Sequence, residues 1–247
     1  MPEAGVEFAK VSYALASGRL LLYEVSLALE AGTTTALLGR SGSGKTTLLR
    51  MVNGLVMPSS GTVRVAGRST SESDLLDLRR GIGYVIQETG LFPHMTIGRN
   101  AGLALELAGR PASEIKTRTA EVLTLAGLDA GFATRYPWEL SGGQRQRVGL
   151  ARAMAINPRV LLMDEPFGAL DPMTRAEMQT MLKDLLIRVR KTVLLVTHDL
   201  NEALYLAGRV IFVEEGRVVA DLPTNEVLGS DNPHVRAYVA AVHRTVA

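Results

Sequence analysis

Short apolar runs rich in β-branched residues recur along this chain and predict strands. Between them lie segments whose apolar residues return every three or four positions, as in helices. The predicted strands cover residues 6–11, 20–29, 33–38, 62–65, 82–87, 160–163, 192–197 and 210–213. The predicted helices cover residues 45–55, 97–107, 113–126, 142–156, 174–190, 200–207 and 235–242. This alternation indicates an α/β fold with a mixed, mostly parallel sheet.

The pattern also divides the chain into parts. Turns such as Ala31-Gly32 separate the early strands, which therefore read as an antiparallel β edge. From residue 96 to residue 128 the strand signal disappears and only helical spacing remains. We therefore expect one domain over residues 1–247, with an α/β core at 1–95 and 157–247 and an inserted helical subdomain at 96–156.

Composition narrows the possible functions. The 27 Lys and Arg nearly balance the 25 Asp and Glu, which argues against a nucleic-acid partner. Cysteine is absent and the four histidines are dispersed, so no disulfide or zinc-type spacing is present. A reduced, cytosolic setting is the expectation. No apolar run reaches the roughly 18 residues of a membrane span, and the N-terminus lacks a secretory signal.

The stretch Gly39-Arg-Ser-Gly-Ser-Gly-Lys-Thr46 fits the phosphate-loop pattern between a strand and a helix. Glycines let backbone N–H groups converge on phosphate oxygens at a helix start. Lys45 is expected to reach the β- and γ-phosphates, and the Thr46 hydroxyl to ligate Mg²⁺. The fold class predicted is therefore a P-loop NTPase core.

The stretch Val160-Leu-Leu-Met-Asp-Glu165 is an apolar strand that ends in two acids. Ligands of open α/β sheets lie at the carboxyl ends of strands. Asp164 is expected to hold Mg²⁺ through water, and Glu165 to polarise the attacking water as a general base. A solvated strand end is the alternative when such a pair stands alone, without a phosphate loop.

Leu140-Ser-Gly-Gly-Gln144 resembles the signature motif of the ATP-binding cassette (ABC) ATPase family. Gln87 is similar to that family's Q-loop glutamine, Ala169-Leu-Asp171 to its D-loop, and His198 in "VTHD" to its switch histidine. The motifs stand in the family's order and span nearly the whole chain. The resemblance therefore implies an ATPase that uses ATP and Mg²⁺.

The resemblance also implies a second copy of the chain. In this family two subunits pack head to tail, so that the signature of one copy caps the nucleotide held by the other. A Ser-Gly-Gly helix start suits this task, because its hydroxyl and N–H groups face an anion. Asp171 is similar to the residue that crosses between copies. The roles of Arg145 and Arg147 are left open between nucleotide, partner and water.

The candidate site residues follow from these motifs and the resemblance. The catalytic candidates are Glu165, His198, Gln87 and Lys45, and the metal-binding candidates are Thr46, Gln87 and Asp164. The nucleotide-binding candidates are Gly39, Arg40, Ser41, Gly42, Ser43, Gly44, Lys45, Thr46, Thr47, Tyr13, Asp164, Ser141, Gly142, Gly143, Gln144 and Asp171.

One position departs from the family pattern. The aromatic residue on which the family stacks adenine falls, by alignment of Val11-Ser-Tyr-Ala-Leu15, on Leu15. Tyr13 lies two residues earlier, on the same face if the strand continues, and is the substitute. A partly buried strand tyrosine with no nucleotide contact is the alternative.

The stretch Gly90-Leu-Phe-Pro-His-Met-Thr-Ile97 resembles the permease-docking segment of bacterial importer ATPases. We expect Phe92 and Met95 to anchor a short helix of a membrane-embedded permease, although core closure under the helical subdomain is the alternative. This resemblance places the chain peripherally on the cytoplasmic face of the inner membrane. An extracytoplasmic substrate-binding protein is then an indirect partner.

The finer resemblance is to ATPases that import quaternary ammonium osmoprotectants, namely glycine betaine, choline and carnitine. It rests on "IGYVIQETGLFPHMTI", "YPWELSGGQRQRVG" and "MDEPFGALDPMTR". Some members add regulatory domains after the ATPase, which are expected to be absent because this chain ends at Ala247. The alternatives are a polar amino acid importer, a soluble cassette ATPase and a P-loop kinase. Whether the tail after Ala220 is regulatory is left open.

Overall fold

The computed structural model describes residues 4–244, which contain alternating strands and helices. The strands are β1 (Ala4–Ala14), β2 (Leu20–Glu30), β3 (Thr34–Leu38), β4 (Ser60–Val65), β5 (Arg68–Ser69), β6 (Ile82–Val85), β7 (Val160–Asp164), β8 (Thr192–Thr197), β9 (Arg209–Glu214) and β10 (Arg217–Pro223). The α-helices are α1 (Lys45–Val52), α2 (Leu75–Arg80), α3 (Ile97–Leu107), α4 (Ala112–Leu125), α5 (Gly142–Ala155), α6 (Pro172–Val189), α7 (Leu200–Leu206) and α8 (Pro233–Arg244).

The chain folds into two compact units. Among the described residues, the first contains 4–79 together with 191–244, and the second is Arg80–Arg190. These boundaries follow backbone contacts and differ from the subdomain boundaries expected from sequence, which stay a prediction. Helices α3, α4 and α5 all lie in the second unit.

The first unit contains two groups of strands. Strands β2, β1, β4 and β5 form an antiparallel sheet in that order, which is the β edge that the early turns predicted. In the other group β3 runs parallel to β8 and β9, and β10 is antiparallel to β9. Leu38 pairs with Thr197, so the residues after β3 and β8 emerge at one edge. The P-loop and His198 therefore start from the same edge of this unit.

The second unit joins a parallel strand pair to a group of helices. Strands β6 and β7 pair with Val85 opposite Met163, so the residues that follow both strands leave at one edge. Helices α3, α4 and α5 pack against one another, and α5 also packs against β6. Their buried residues are mostly apolar and include Ile97, Leu123, Val148 and Leu150. None of the described helices has the length and hydropathy that would let it cross a membrane.

Several element boundaries differ from the sequence-based expectation. Strand β6 ends at Val85, so Gln87 lies two residues beyond the strand rather than at its end. Helix α6 begins at Pro172 instead of residue 174, because Asp171 caps it and proline is favoured in the first turn. Strand β10 was not predicted. It returns from β9 through Glu215 and Gly216, which both adopt positive φ, a turn without the usual Asn-Gly signal.

Candidate nucleotide site

The phosphate loop of the first unit connects β3 to α1. Gly44 adopts φ of 101° at the N-cap of α1 and supplies no side-chain cap. This backbone conformation suits glycine and leaves the helix start to a ligand. The loop residues Gly39, Arg40, Ser41, Gly42 and Ser43 precede this cap, and Thr46 and Thr47 lie in the first turn of α1.

Lys45 lies under the loop and is only 4% exposed. Its Nζ donates to the carbonyl oxygens of Gly39 and Arg40, each at 2.8 Å. Ser43 Oγ is buried and finds no hydrogen-bond partner among the described residues. A buried cation and an orphaned hydroxyl in one glycine loop fit a phosphate group, which would supply the missing acceptor.

His198 directly follows β8 and is exposed. Its backbone carbonyl accepts a hydrogen bond from Tyr238 Oη at 2.6 Å. The next residue, Asp199, caps α7 by accepting from the N–H groups of Asn201 and Glu202. The histidine therefore begins a turn whose backbone is held on both sides.

The adenine candidates lie where β1 meets β2. Tyr13 is half-buried in β1 and pairs with Leu22. The strand ends at Ala14, so Leu15 does not continue its face and instead lies in the hairpin turn, 38% exposed. The choice between Tyr13 and Leu15 stays a prediction.

The second unit brings three predicted residues together. Asp164 ends β7 and is buried, and Tyr84 Oη donates to its Oδ2 at 3.4 Å. Gln87 Nε2 donates to Glu165 Oε2 at 3.4 Å. Two carboxylates and an amide thus lie near the edge where β6 and β7 end.

Glu165 has a left-handed backbone with φ of 44°. This conformation costs a non-glycine residue conformational free energy, and residues that adopt it cluster at functional sites. The turn is closed by a hydrogen bond from Gly168 N to Glu165 O at 3.2 Å. The carboxylate is therefore aimed by the main chain and by Gln87.

The signature segment forms the start of α5. Ser141 Oγ accepts from Gln144 N at 3.3 Å, and Gln144 Oε1 accepts from Ser141 N at 3.0 Å, which completes a capping box. A hydroxyl that accepts one bond keeps its own hydrogen to donate. Ser141 can thus cap its helix and still donate to an anion, whereas the amide oxygen of Gln144 is engaged within the chain.

The two signature glycines differ. Gly142 is exposed, and an added Cβ would make ordinary contact with Leu170 Cδ2 at 3.8 Å. Gly143 is buried, and an added Cβ would overlap Thr174 Cγ2 of α6. We expected both glycines to expose backbone. Gly143 also has a packing role, because only a glycine lets the starts of α5 and α6 approach this closely.

The D-loop residue Asp171 caps α6 by accepting from Thr174 N at 3.1 Å. Hydrogen bonds from the side chain and backbone of Thr174 hold the pKa of Asp171 below its ordinary value. Asp171 is exposed and ionised at neutral pH. The signature and D-loop segments are therefore neighbours, linked by the Gly143–Thr174 contact.

Two arginines whose roles were left open bind backbone carbonyls. Arg145 Nη1 donates to Leu140 O at 2.6 Å, which supports the turn before the signature. Arg147 Nη1 donates to Gly127 O at 3.1 Å, after the end of α4. Both side chains therefore brace the loops around α5.

Two functional candidates were missed from sequence. Asn100 of α3 is fully buried, and its side chain bonds the turn before the helix through Phe92 N, Phe92 O, Met95 O and Thr96 O, at 2.8–3.1 Å. Arg152 donates to Thr89 O and Gly90 O, each at 2.7 Å, and burial lowers the pKa of its guanidinium. Together they fix the segment after Gln87. For Asn100, the only signal in the sequence was a polar residue within the apolar face of a predicted helix.

These features define a P-loop NTPase of the cassette type: a phosphate loop, a carboxylate pair after a buried strand, and a capped glycine helix start. Residues 22–168 match the family described as ABC transporter, and the chain belongs to that family. The family and α/β fold predicted from the motifs are thereby confirmed. Because the family binds ATP, ATP is the nucleotide of the phosphate loop.

Individual relatives point the same way. The chain is 43% identical over 89% of its length to the glycine betaine/carnitine/choline transport ATP-binding protein OpuCA of Bacillus subtilis, and covers 58% of it. It is 45% identical over 87% of its length to the osmoprotectant import ATP-binding protein OsmV of Salmonella typhimurium, and covers 57% of it. The chain thus spans under two thirds of these relatives.

A solved ATP-binding cassette has the same fold. That protein is a dimer in a post-hydrolysis state with bound ADP and phosphate. It shares 35% identity with this chain and a TM-score of 0.80, with coverage of 89% of this chain and 98% of that one.

Proposed function

We propose that this chain is the ATP-binding and ATP-hydrolysing subunit of an importer for a small solute, a quaternary ammonium osmoprotectant such as glycine betaine, choline or carnitine. The observation that carries the enzymatic part is the cluster of Gln87, Asp164 and strained Glu165 at one strand edge. The similarity to OpuCA, a glycine betaine/carnitine/choline transport ATP-binding protein, and to OsmV, an osmoprotectant import ATP-binding protein, supports the transport part.

In this proposal the first unit binds the phosphates. The loop from Gly39 to Thr47 accepts the β- and γ-phosphates, and Lys45 exchanges its carbonyl partners for phosphate oxygens. His198 donates to the γ-phosphate from the end of β8. The orphaned hydroxyl of Ser43 supports phosphate as the ligand.

Glu165 is proposed as the general base. Its left-handed backbone and its contact with Gln87 Nε2 hold the carboxylate in one orientation, ready to take a proton from water. Thr46, Gln87 and Asp164 offer hydroxyl, amide and carboxylate oxygens, which is the donor set that Mg²⁺ prefers. When bound, Mg²⁺ neutralises phosphate charge. Tyr84 keeps Asp164 oriented through its hydroxyl.

A second copy of the chain is proposed to complete the site. The exposed start of α5 presents Ser141 and Gly142, and the neighbouring Asp171 is ionised and exposed. Such a surface fits the nucleotide of a partner, because the hydroxyl hydrogen of Ser141 is available as a donor while the oxygen caps the helix. ATP would then close the dimer, and hydrolysis would reopen it.

The permease is proposed to bind at the segment 89–96. Phe92 is 41% exposed, and its ring contacts His94 edge-on at 6.0 Å between centroids. Hydrogen bonds from the side chains of Asn100 and Arg152 fix the backbone of this segment, so it can receive a short helix. The segment starts two residues after Gln87, which would couple the nucleotide to the permease. The chain would thus be peripheral at the cytoplasmic face of the inner membrane, served from outside by a substrate-binding protein.

The Glu165→Gln variant tests the enzymatic proposal. It keeps the shape of the side chain and removes the base, so we expect ATP turnover to fall at least about 100-fold. Saturating Mg·ATP should then convert the variant into a stable dimer in light scattering. The matched control is Glu165→Gln combined with Ser141→Arg, which should bind ATP and stay monomeric. A monomeric Glu165→Gln variant would contradict the dimer proposal.

Uptake measurements test the substrate. Cells with and without the gene are given labelled betaine, choline, carnitine and polar amino acids at raised osmolarity. Loss of uptake of a quaternary amine alone is the expected result. Loss of amino acid uptake alone would overturn the osmoprotectant proposal while leaving the ATPase proposal intact.

A further inference from the structure

The C-terminal helix α8 reaches the turn that carries His198. Tyr238 Oη donates to the carbonyl oxygen of His198 at 2.6 Å, across a sequence separation of 40 residues. The acceptor belongs to the residue proposed to contact the γ-phosphate. A hydrogen bond to the main chain of that residue acts on the direction of its side chain.

The other polar group of the same peptide is also held. Asp199 N donates to Thr197 Oγ1 at 3.0 Å, and Thr197 Oγ1 donates to the buried carboxylate of Glu202 at 2.6 Å. The peptide between His198 and Asp199 is planar, so bonds at its N–H and its C=O fix its rotation. That rotation sets the backbone angle from which the imidazole leaves the chain. Of these two hydrogen bonds to the peptide, the one from Tyr238 comes from a residue distant in the sequence, whereas the one to Thr197 is local.

The hydroxyl of Tyr238 is presented from a rigid support. Its ring packs edge-on against buried Phe212 of β9, with centroids 5.8 Å apart. The start of α8 is anchored by a contact between His234 Nδ1 and Glu214 Oε2 and by the bond from Asn232 Nδ2 to Val219 O at 3.0 Å. Val235 of α8 is fully buried in the apolar cluster that also contains Phe212. The phenol therefore cannot swing away without unpacking the helix.

The same face of α8 borders the phosphate loop. His234, Ala237 and Tyr238 line a cleft of about 520 Å³ that the residues from Gly39 to Ser43 also line. The helix thus contacts the switch turn and shares a cleft with the loop that binds phosphate. Both contacts lie within the first unit.

We propose that Tyr238 is a positioning residue for ATP hydrolysis, which aims the imidazole of His198 by holding its carbonyl. The inference rests on the proposed function, because it assigns α8 to the hydrolytic site. A displaced α8 would release the His198–Asp199 peptide and slow hydrolysis while the phosphate loop still binds ATP. Helix α8 would therefore act on the chemical step.

The Tyr238→Phe variant removes the hydroxyl and keeps the ring against Phe212. The loss of one hydrogen bond should lower kcat about threefold to tenfold. The Kd for a fluorescent ATP analogue should stay unchanged and the melting temperature should fall by no more than a few degrees, because the loop and the apolar packing are retained. Tyr205→Phe on neighbouring α7 is the matched control, and its kcat should equal that of the wild type.

A double-mutant cycle separates positioning from general destabilisation. If Tyr238 acts through His198, Tyr238→Phe should change the single-turnover rate of the His198→Ala variant by less than about 1.5-fold. An equal loss in both backgrounds would overturn the inference. The inference would also be overturned if Tyr238→Phe kept the wild-type kcat while His198→Ala lowered it. If instead His198→Ala itself hydrolyses ATP normally, the proposed role of His198 fails.

A spectroscopic measurement tests the positioning role of Tyr238 independently. In the proton–carbon spectrum of the histidine rings, Tyr238→Phe should shift or broaden the signal of His198, which is assigned by its loss in a His198→Gln variant. The signal of His94, which lies in the second unit, serves as the reference. An unchanged His198 signal in Tyr238→Phe would contradict the inference.

Discussion

At the scale of single residues, the most informative side chain in the second unit is Asn100. Its carboxamide replaces backbone partners for the turn at 92–96, and no water can do so because the residue is fully buried. The donor and acceptor of one amide thus define the surface proposed to bind the permease. A buried polar group of this kind is costly to orphan.

The Asn100→Ala variant should lose about 2–4 kcal/mol in the free energy of unfolding, because several buried backbone groups lose their partner. Chemical denaturation measures this loss. The control is Asn201→Ala, an exposed asparagine at the start of α7, which should change stability by less than about 0.5 kcal/mol. Equal effects of both substitutions would contradict the assigned role.

The positions of residues of this kind are not determined by a local sequence pattern. The phosphate loop and the pair Asp164-Glu165 could be predicted because a local pattern, a strand end followed by a loop, determines their position. Asn100 bonds a turn whose geometry depends on the fold. Tyr238 meets His198 only because α8 packs on β9, and no spacing in the chain encodes that contact.

At the scale of elements, the starts of α5 and α6 pack against each other. The signature helix begins with a capping box, and the D-loop helix begins with an aspartate cap. Gly143 lets Thr174 approach the first turn of α5. The two helix starts therefore pack closely against each other.

The Gly143→Ala variant should be destabilised by about 1–3 kcal/mol, because the added methyl overlaps Thr174 Cγ2. Combining it with Thr174→Ser removes that methyl, keeps the hydroxyl and should restore most of the stability. Gly142→Ala is the matched control and should be tolerated, since its Cβ would make an ordinary contact. Thermal unfolding decides between these outcomes. A Gly142→Ala variant as unstable as Gly143→Ala would refute the packing explanation.

The boundaries of the elements were predicted within a few residues where caps are visible in the sequence. Helix α3 is bounded as expected, with Thr96 as its side-chain cap. Strand β10 and helix α2 were missed, because the turn before β10 lacks a strong signal and α2 has only six residues. Their positions depend on pairing and packing that a local pattern does not contain.

At the scale of the whole molecule, we propose that each nucleotide site is built from two copies of the chain. The phosphate loop and the signature each have a structure that fits an anion, and they lie in different units. In a head-to-tail dimer a lesion in the loop of one copy and a lesion in the signature of the other fall on the same site. The remaining site is then free of lesions.

Mixing two inactive variants tests this claim most directly. Lys45→Ala disables the phosphate loop and Ser141→Arg disables the signature, so each variant alone should hydrolyse almost no ATP. In an equal mixture, random pairing makes half of the dimers mixed and leaves each with one intact site, so ATP turnover should recover to about a quarter of wild type. Turnover that stays at the sum of the separate variants would contradict the composite site.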